Sequence, residues 1–311
     1  MRVGACGLNR LDLWFEEAGL PMPVRLPRTP GCEVAGTVIE TGPGVSGWAP
    51  GARVAVQSNL FCERCEFCER GEESMCLEGR ILGVDCDGGF AERVLAPARA
   101  LVRLPDGVDF RTSAALTLAG STAMHMLAHR ASVNPGDWVL VVAGASGVGS
   151  AAIQIARQLG ARVIATGSTD AKRALARALG AEFAVDSNHP RWPAEIRRHT
   201  GKRGVDLAVE HVGGDVLARV FECLARGGTV VTCGATAGRT VPLNLWPFFV
   251  KQQRLIGSYG RNSADLKATL EWAADGRLRP VIHSVVPLED VPSAYAALRA
   301  RTVSGKVLVE P

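Results

Sequence analysis

The stretch Trp138–Gly160 constrains this chain more than any other. It runs Trp138-Val-Leu-Val-Val-Ala143, then Gly144-Ala145-Ser146-Gly147-Val148-Gly149, then Ser150-Ala-Ala-Ile-Gln-Ile-Ala-Arg-Gln-Leu-Gly160. A short continuous apolar run predicts a strand covered on both faces. Glycines follow at once, and beyond them Ile153, Ala156 and Leu159 share one helical stripe. Strand, glycine turn and helix, in that order, make a glycine motif informative. Glycine lets a backbone approach a diphosphate closely, and a helix start offers free N–H groups at the positive end of its dipole. Taken alone, the same residues also suit an ordinary strand-to-helix turn.

The surroundings extend the pattern. From about Ser121 strands and helices alternate, with strands expected at Arg162–Thr166, Glu182–Val185, Leu207–Glu210 and Thr229–Cys233. Between them the spacing predicts helices over Ala171–Leu179, Trp192–His199 and Val216–Leu224. Such alternation predicts an α/β fold with a parallel, doubly wound sheet. Residues 1–110 read differently. Short β-like segments (Glu33–Glu40, Arg53–Gln57, Phe90–Leu95) are punctuated by Gly and Pro, and Pro21, Pro23, Pro27 and Pro30 separate a first helix-like piece from the strand after Gly31. This predicts a compact β domain with long loops. After about Gly257 come a helix (Ala264–Ala274), a strand near Ile282–Val286, a helix (Ala294–Arg301) and a strand (Val307–Glu310).

A chain of 311 residues has room for about two domains. A net charge of +4, well mixed along the chain, points to neither nucleic acid nor a membrane surface. No apolar run approaches the roughly twenty residues of a transmembrane helix, and the first residues lack the apolar core and cleavage site of a secretory signal. The expected location is cytoplasmic. Nine cysteines, four of them tightly clustered, favour a reducing compartment and metal ligation over disulfides.

That cluster is Cys62-x-x-Cys65-x-x-Cys68, followed by Cys76. Two-residue gaps turn successive thiolates toward one point, and a longer loop returns the fourth. Four sulfurs at about 2.3 Å close a tetrahedron around Zn²⁺ with no open position, so the expected site is structural. Free or disulfide-paired cysteines are the alternative, and an iron–sulfur cluster has different usual spacings.

Together with Gly31-Cys-Glu-Val-Ala-Gly-Thr-Val and Ser121-Thr-Ala, these motifs fall in an order that resembles the medium-chain dehydrogenase/reductase superfamily, whose members include zinc alcohol dehydrogenases and quinone oxidoreductases. The resemblance runs from end to end. It implies a GroES-like β domain over 1–118 and 260–311, and a Rossmann doubly wound parallel-sheet domain over 119–259. Members usually open with a further β-hairpin region. Met1-Arg2-Val3 resembles the end of a strand that begins earlier, and missing strands would leave an unpaired sheet edge.

Zinc alcohol dehydrogenases also hold a catalytic zinc. Matched to their pattern, Asn9 stands at the first Cys ligand, Cys32 at the His ligand with Glu33 kept, and Leu118 at the last Cys ligand; Leu11 replaces the hydroxyl residue that relays the alcohol proton. A catalytic zinc needs three protein ligands and an open position, which this set does not supply. Without a Lewis acid little acidifies an alcohol, whereas a quinone or an α,β-unsaturated carbonyl accepts hydride more readily. Asn9 and Asp12 resemble the Asn-x-x-Asp of quinone oxidoreductases and enoyl reductases and are the candidate catalytic pair; loop capping by their own side chains is the alternative. A metal site from Cys6, Cys32 and Glu33 is a rival by ligand type alone.

An NAD enzyme shows an acidic residue at the end of the second strand of its nucleotide unit. Here the segment is Gly167-Ser168-Thr169-Asp170-Ala171-Lys172-Arg173. Ser168, Lys172 and Arg173 suit a 2′-phosphate, so NADP(H) is expected over NAD(H); otherwise Asp170 caps the next helix and the basic pair is its solvated face. The resemblance adds Thr122, Val212, Gly213, Gly234 and Ala235 as cofactor contacts beside Gly144, Ser146, Gly147, Val148 and Gly149, and brings Lys306 to the diphosphate. It also implies a homodimer or homotetramer. The expected function is NADPH-dependent reduction of a quinone or α,β-unsaturated carbonyl with one structural zinc. A zinc-dependent alcohol dehydrogenase and a non-catalytic nucleotide-binding member of the superfamily are the alternatives.

Overall fold

The computed structural model describes residues 1–17, 19–20 and 24–311. Pro21 and Pro23 of the expected proline-rich connection lie outside the described residues. Two compact units account for the chain: Met1–Ser121 with Gly260–Pro311, and Thr122–Tyr259.

In the first unit the opening strands are β1 (Arg2–Gly7), β2 (Glu33–Thr37), β3 (Arg53–Val56), β4 (Asn59–Leu60), β5 (Arg80–Ile81) and β6 (Leu101–Arg103). In the second, β7 (Trp138–Val141), β8 (Arg162–Gly167), β9 (Phe183–Asp186), β10 (Val205–Glu210), β11 (Leu224–Thr232) and β12 (Arg254–Gly257) alternate with helices. The chain then returns to the first unit with β13 (Ile282–Pro287) and β14 (Lys306–Glu310).

The first unit is built on a six-stranded sheet of order β13-β14-β1-β2-β3-β6. All pairs are antiparallel except β13 with β14. β1 is not an edge: β2 and β14 flank it, and Met1 and Val3 exchange backbone hydrogen bonds with Glu92 and Val94. β1 is therefore an interior strand of this sheet. Phe90–Leu95 is not a strand either. It follows β1 through the single bridge Arg2–Arg93, with Gly88 and Gly89 bonded back to Thr29 and Gly31. The helix Phe110–Leu116 begins where Asp109 accepts from the Thr112 amide at 2.6 Å. Its Ala114 and Ala115 pack on Ala5, Ala35 and Leu308, small residues that let the helix lie close to the sheet.

The second unit is the predicted doubly wound sheet, all parallel, of order β12-β11-β10-β7-β8-β9. Every residue of β7 is buried, as a strand covered on both faces requires. Successive strands run outward from β7 through β8 to β9, then resume on its other side at β10. The order reverses between β7 and β10, and ligands of open α/β sheets bind beyond the carboxyl ends of strands at such a point.

Candidate active site

Four places in the two units carry the residues singled out above. In the first unit the chain from Cys62 to Cys76 coils through a helical turn, Glu66–Glu69, and a 3₁₀ turn, Glu73–Met75, and brings four thiols together. All four sulfurs lie within 4.8 Å of one another, with Cys65–Cys68 at 3.6 Å, Cys62–Cys68 at 3.9 Å and Cys65–Cys76 at 4.0 Å. A tetrahedron with Zn–S bonds of about 2.3 Å has sulfurs about 3.8 Å apart, so the residues fit a zinc ion. Backbone amides of Cys68 and Leu77 point at Cys65 and push its thiol down to about 6, which favours the thiolate a metal requires. No described cysteine is paired in a disulfide.

The second place gathers residues far apart in sequence. Glu33 opens β2 and is completely buried. One carboxylate oxygen accepts from Lys306 Nζ at 2.7 Å and Asn9 Nδ2 at 3.0 Å. The other accepts from the backbone amides of Leu118 at 2.5 Å and Ala119 at 2.9 Å. Gly7 makes the room: a Cβ there would sit 2.5 Å from the Glu33 carboxylate. Lys306, on β14, donates to Leu8 O and Asn9 Oδ1, each at 2.6 Å, besides Glu33. Cys32, also buried, lies 3.9 Å from Asn9 Nδ2, and burial pushes its thiol well above the ordinary range.

Asn9, Cys32, Glu33 and Leu118, matched above to the ligand positions of a catalytic zinc, thus do come together, but they do not fit the ion. One protonated thiol, an amide and an aliphatic side chain replace the usual ligands. The remaining carboxylate is already neutralised by an ammonium that would repel a divalent cation. Two expectations are corrected here. The three ammonium hydrogens of Lys306 have three acceptors in this unit, so it does not reach a diphosphate. Asn9 gives its second amide hydrogen to Gly7 O at 3.1 Å, so neither hydrogen is left for a substrate. Asp12 accepts from the Asn9 and Gly31 amides at 2.7 and 3.2 Å and caps the helix Arg10–Glu16. Burial pushes its carboxyl up to about 7. The capping alternative describes both residues.

The third place is the glycine turn. Ser146 caps the helix Gly147–Gln158 by accepting from the Gly149 amide at 3.0 Å. A Cβ on Gly149 would lie 2.3 Å from Ala143 O, so the helix can start this hard against β7 only with glycine there. First-turn amides such as those of Gly147 and Val148 have no intrahelical acceptor. Beyond β10, buried Glu210 accepts from the Val212 and Gly213 amides at 2.6 and 2.8 Å and from Thr232 Oγ1 at 2.9 Å, which pins the loop. Gly234 packs on the backbone of His211, Ala235 follows it, and Thr122 is buried at the start of the unit. Sequence reasoning left His211 without a role. Its Nε2 lies 3.0 Å from Ser146 Oγ, and its Nδ1 is buried with no hydrogen-bond partner. A helix start with open amides, a glycine approach and an unmet buried ring nitrogen beside it fit a dinucleotide. No periodicity or spacing marks a lone histidine after a strand; only the fold brings it to the turn.

At the far end of β8 the expected basic pair divides. Arg173 binds Gly167 O at 2.9 Å, Asp170 at 2.5 Å and Asp186 at 3.3 Å, so its charge is met by two carboxylates and it is withdrawn as a phosphate ligand. Ser168 is exposed, and Lys172 stands in the first turn of the next helix. Thr169, not Asp170, caps that helix by accepting from the Lys172 amide. His125 and His129 stack at 4.8 Å.

Comparison with known proteins finds relatives along the whole chain. Residues 1–106 match the alcohol dehydrogenase GroES-like domain and residues 147–275 the zinc-binding dehydrogenase family. An alcohol dehydrogenase of Geobacillus stearothermophilus is 30% identical over 312 residues, covering 100% of this chain and 91% of its own. The quinone oxidoreductase-like protein 2 of Bos taurus is 31% identical, covering 99% of this chain and 84% of its own. A solved NAD-dependent alcohol dehydrogenase superposes with a TM-score of 0.94 at 37% identity, covering 100% of this chain and 90% of that one. A β unit that ends where it began, a parallel sheet with a glycine turn at its reversal, and relatives matched along the whole chain make it an NAD(P)H-dependent oxidoreductase that belongs to the medium-chain dehydrogenase/reductase superfamily.

Proposed function

We propose that this chain uses NADPH to reduce a quinone or an α,β-unsaturated carbonyl, and that its only zinc is the structural one held by Cys62, Cys65, Cys68 and Cys76. The observation that carries the reading is the buried Lys306–Glu33 pair at 2.7 Å, which neutralises the one carboxylate left where a catalytic metal would need it. When bound, the reduced nicotinamide supplies a hydride. The chain's own part is to hold and orient. Ser146, Gly147, Val148 and Gly149 present amides and a close backbone to the diphosphate, and Glu210 keeps the Val212–Gly213 loop rigid beside them. Lys306 fixes Asn9 and Glu33, and Asp12 fixes the turn into the helix Arg10–Glu16. None of these groups has the open metal position that alcohol oxidation uses in zinc enzymes.

The absence of a carboxylate at Ser168, with Lys172 nearby, supports the 2′-phosphate cofactor. Lys172→Ala is expected to weaken NADPH binding about tenfold with NADH unchanged, the size of one charge-assisted contact. Arg173→Ala changes it less. Leu245, Trp246, Phe249 and Leu255 are exposed on and next to β12, the open edge of the parallel sheet, which supports a homodimer or homotetramer through that edge.

The test is metal analysis with a substrate panel. One zinc per chain and NADPH oxidation with enones or quinones is the expected result. Two zincs per chain with alcohol oxidation would establish the zinc alcohol dehydrogenase instead. NADPH binding without turnover on the whole panel would mark a non-catalytic member.

A further inference from the structure

His211 is the first residue after β10, and Ser146 lies in the turn after β7. These two neighbouring strands flank the reversal of the parallel sheet, and the 3.0 Å contact between Ser146 Oγ and His211 Nε2 joins the two sides. The His211 backbone is clamped. Its carbonyl accepts from Thr236 Oγ1 at 3.2 Å, a Cβ on Gly234 would lie 2.5 Å from the same oxygen, and the loop beyond is held by Glu210. His211 is therefore held beside the helix start by groups at or just beyond the ends of three strands.

Protons on the ring can be assigned from the neighbours. Ser146 Oγ already accepts from the Gly149 amide, and we assign its one hydroxyl hydrogen to His211 Nε2, so that the hydroxyl both donates and accepts. Burial pushes the imidazole down to about 4, so the ring is neutral near pH 7 and carries one proton. With Nε2 accepting, that proton is on Nδ1, which is buried and has no protein acceptor. A buried donor without a partner is costly. The open amides of the adjacent helix start favour an anionic or polar oxygen at this same place.

We infer that His211 is a dinucleotide-binding residue whose Nδ1–H donates to an acceptor oxygen in the ribose–diphosphate stretch of the cofactor, with Ser146 holding the ring in the donating tautomer. The inference rests on the dinucleotide reading given above and adds a residue to it.

Two variants separate the two ring nitrogens. His211→Gln keeps a polar atom where Nε2 meets Ser146 and removes the one at Nδ1; His211→Asn does the reverse. Fluorescence titration of the full chain with NADPH is expected to show about tenfold weaker binding for H211Q and less than about threefold for H211N. The unfolding midpoint without cofactor should stay within about 2 °C for H211Q, because the lost donor had no protein partner. Unchanged binding by H211Q overturns the inference. So does equal weakening by both variants together with a fall in the cofactor-free midpoint, which would mark a structural role. Should a variant not fold, ring ¹⁵N spectra of the wild type decide: one histidine Nδ1 signal shifts on saturation with NADPH, and none shifting overturns the proposal. Failure of the wild type to bind NADPH or NADH would instead sink the dinucleotide reading itself.

Discussion

The four-cysteine loop and the pocket around Glu33 lie in the same unit, and each gathers a handful of polar side chains around one point. In the loop the polar atoms are alike: four sulfurs within 4.8 Å, all partly exposed, and useful together only to a cation. In the Glu33 pocket every polar group already answers another. An ammonium, an amide and two backbone N–H groups satisfy one fully buried carboxylate. A set of like donors asks for a metal, while a set of complementary donors and acceptors closes on itself. The difference teaches that ligand position alone does not define a metal site, because the same positions can be refilled with a self-contained ion pair.

The comparison can be broken most forcefully at the loop. Cys65→Ser removes one thiolate from a closed site whose metal contributes directly to folding. It should take the zinc content from one per chain to none and lower the first unfolding midpoint by about 10 °C or more. A midpoint and a metal content that both stay put would mean that the loop does not depend on zinc.

The Glu33 pocket should respond to loss of one partner and forgive loss of both. Lys306→Met leaves a buried carboxylate unpaired and should destabilise the first unit by about 3–5 kcal/mol. Adding Glu33→Gln should recover most of that, since the charge that needed a partner is gone. Denaturant midpoints of both variants check this, and a double variant no better than the single would show that the pair is not the unit of stability.

A smaller effect concerns pH. Asp12 has its carboxyl raised to about 7 by burial, against an ordinary value near 3.8. Between those values the folded chain holds a proton that the unfolded chain has released. Stability therefore falls as pH rises through this window, and below about pH 4 both states are protonated and the effect vanishes. From pH 5 to 7 the loss should be about 2–3 kcal/mol. Urea midpoints of wild type and Asp12→Asn at both pH values test it, and parallel changes in the two proteins would remove Asp12 from the account.

How much of this was legible in sequence follows from how local each feature is. The cysteine spacing lies within fifteen positions of chain, so it announces its geometry. The alternation of strand and helix did the same for the parallel sheet, since each element carries its own hydrophobic period. Phe90–Leu95 misled because β-like composition does not supply a neighbour for ladder pairing, and the segment meets β1 at one bridge only. Lys306 and Arg173 misled for another reason. Asp170, three positions before Arg173, was a local partner in plain view, but Glu33 and Asp186 meet Lys306 and Arg173 only through the sheets, and a cation in sequence carries no sign of such distant carboxylates. His211 was silent because nothing around it repeats; its meaning comes from which strand end lies beside β7.

The ion pair between Lys306 and Glu33 also carries a schedule. Lys306 lies 297 positions after Asn9, which it also binds, and β1 takes β14 as a neighbour. During synthesis at about 5–20 residues per second, Asn9 and Glu33 wait roughly 15–60 s for that ammonium. The parallel sheet, whose strands all fall within one continuous stretch, is complete earlier. A nascent chain therefore completes the strands of its nucleotide-binding half before the ammonium that pairs with Glu33 has been made.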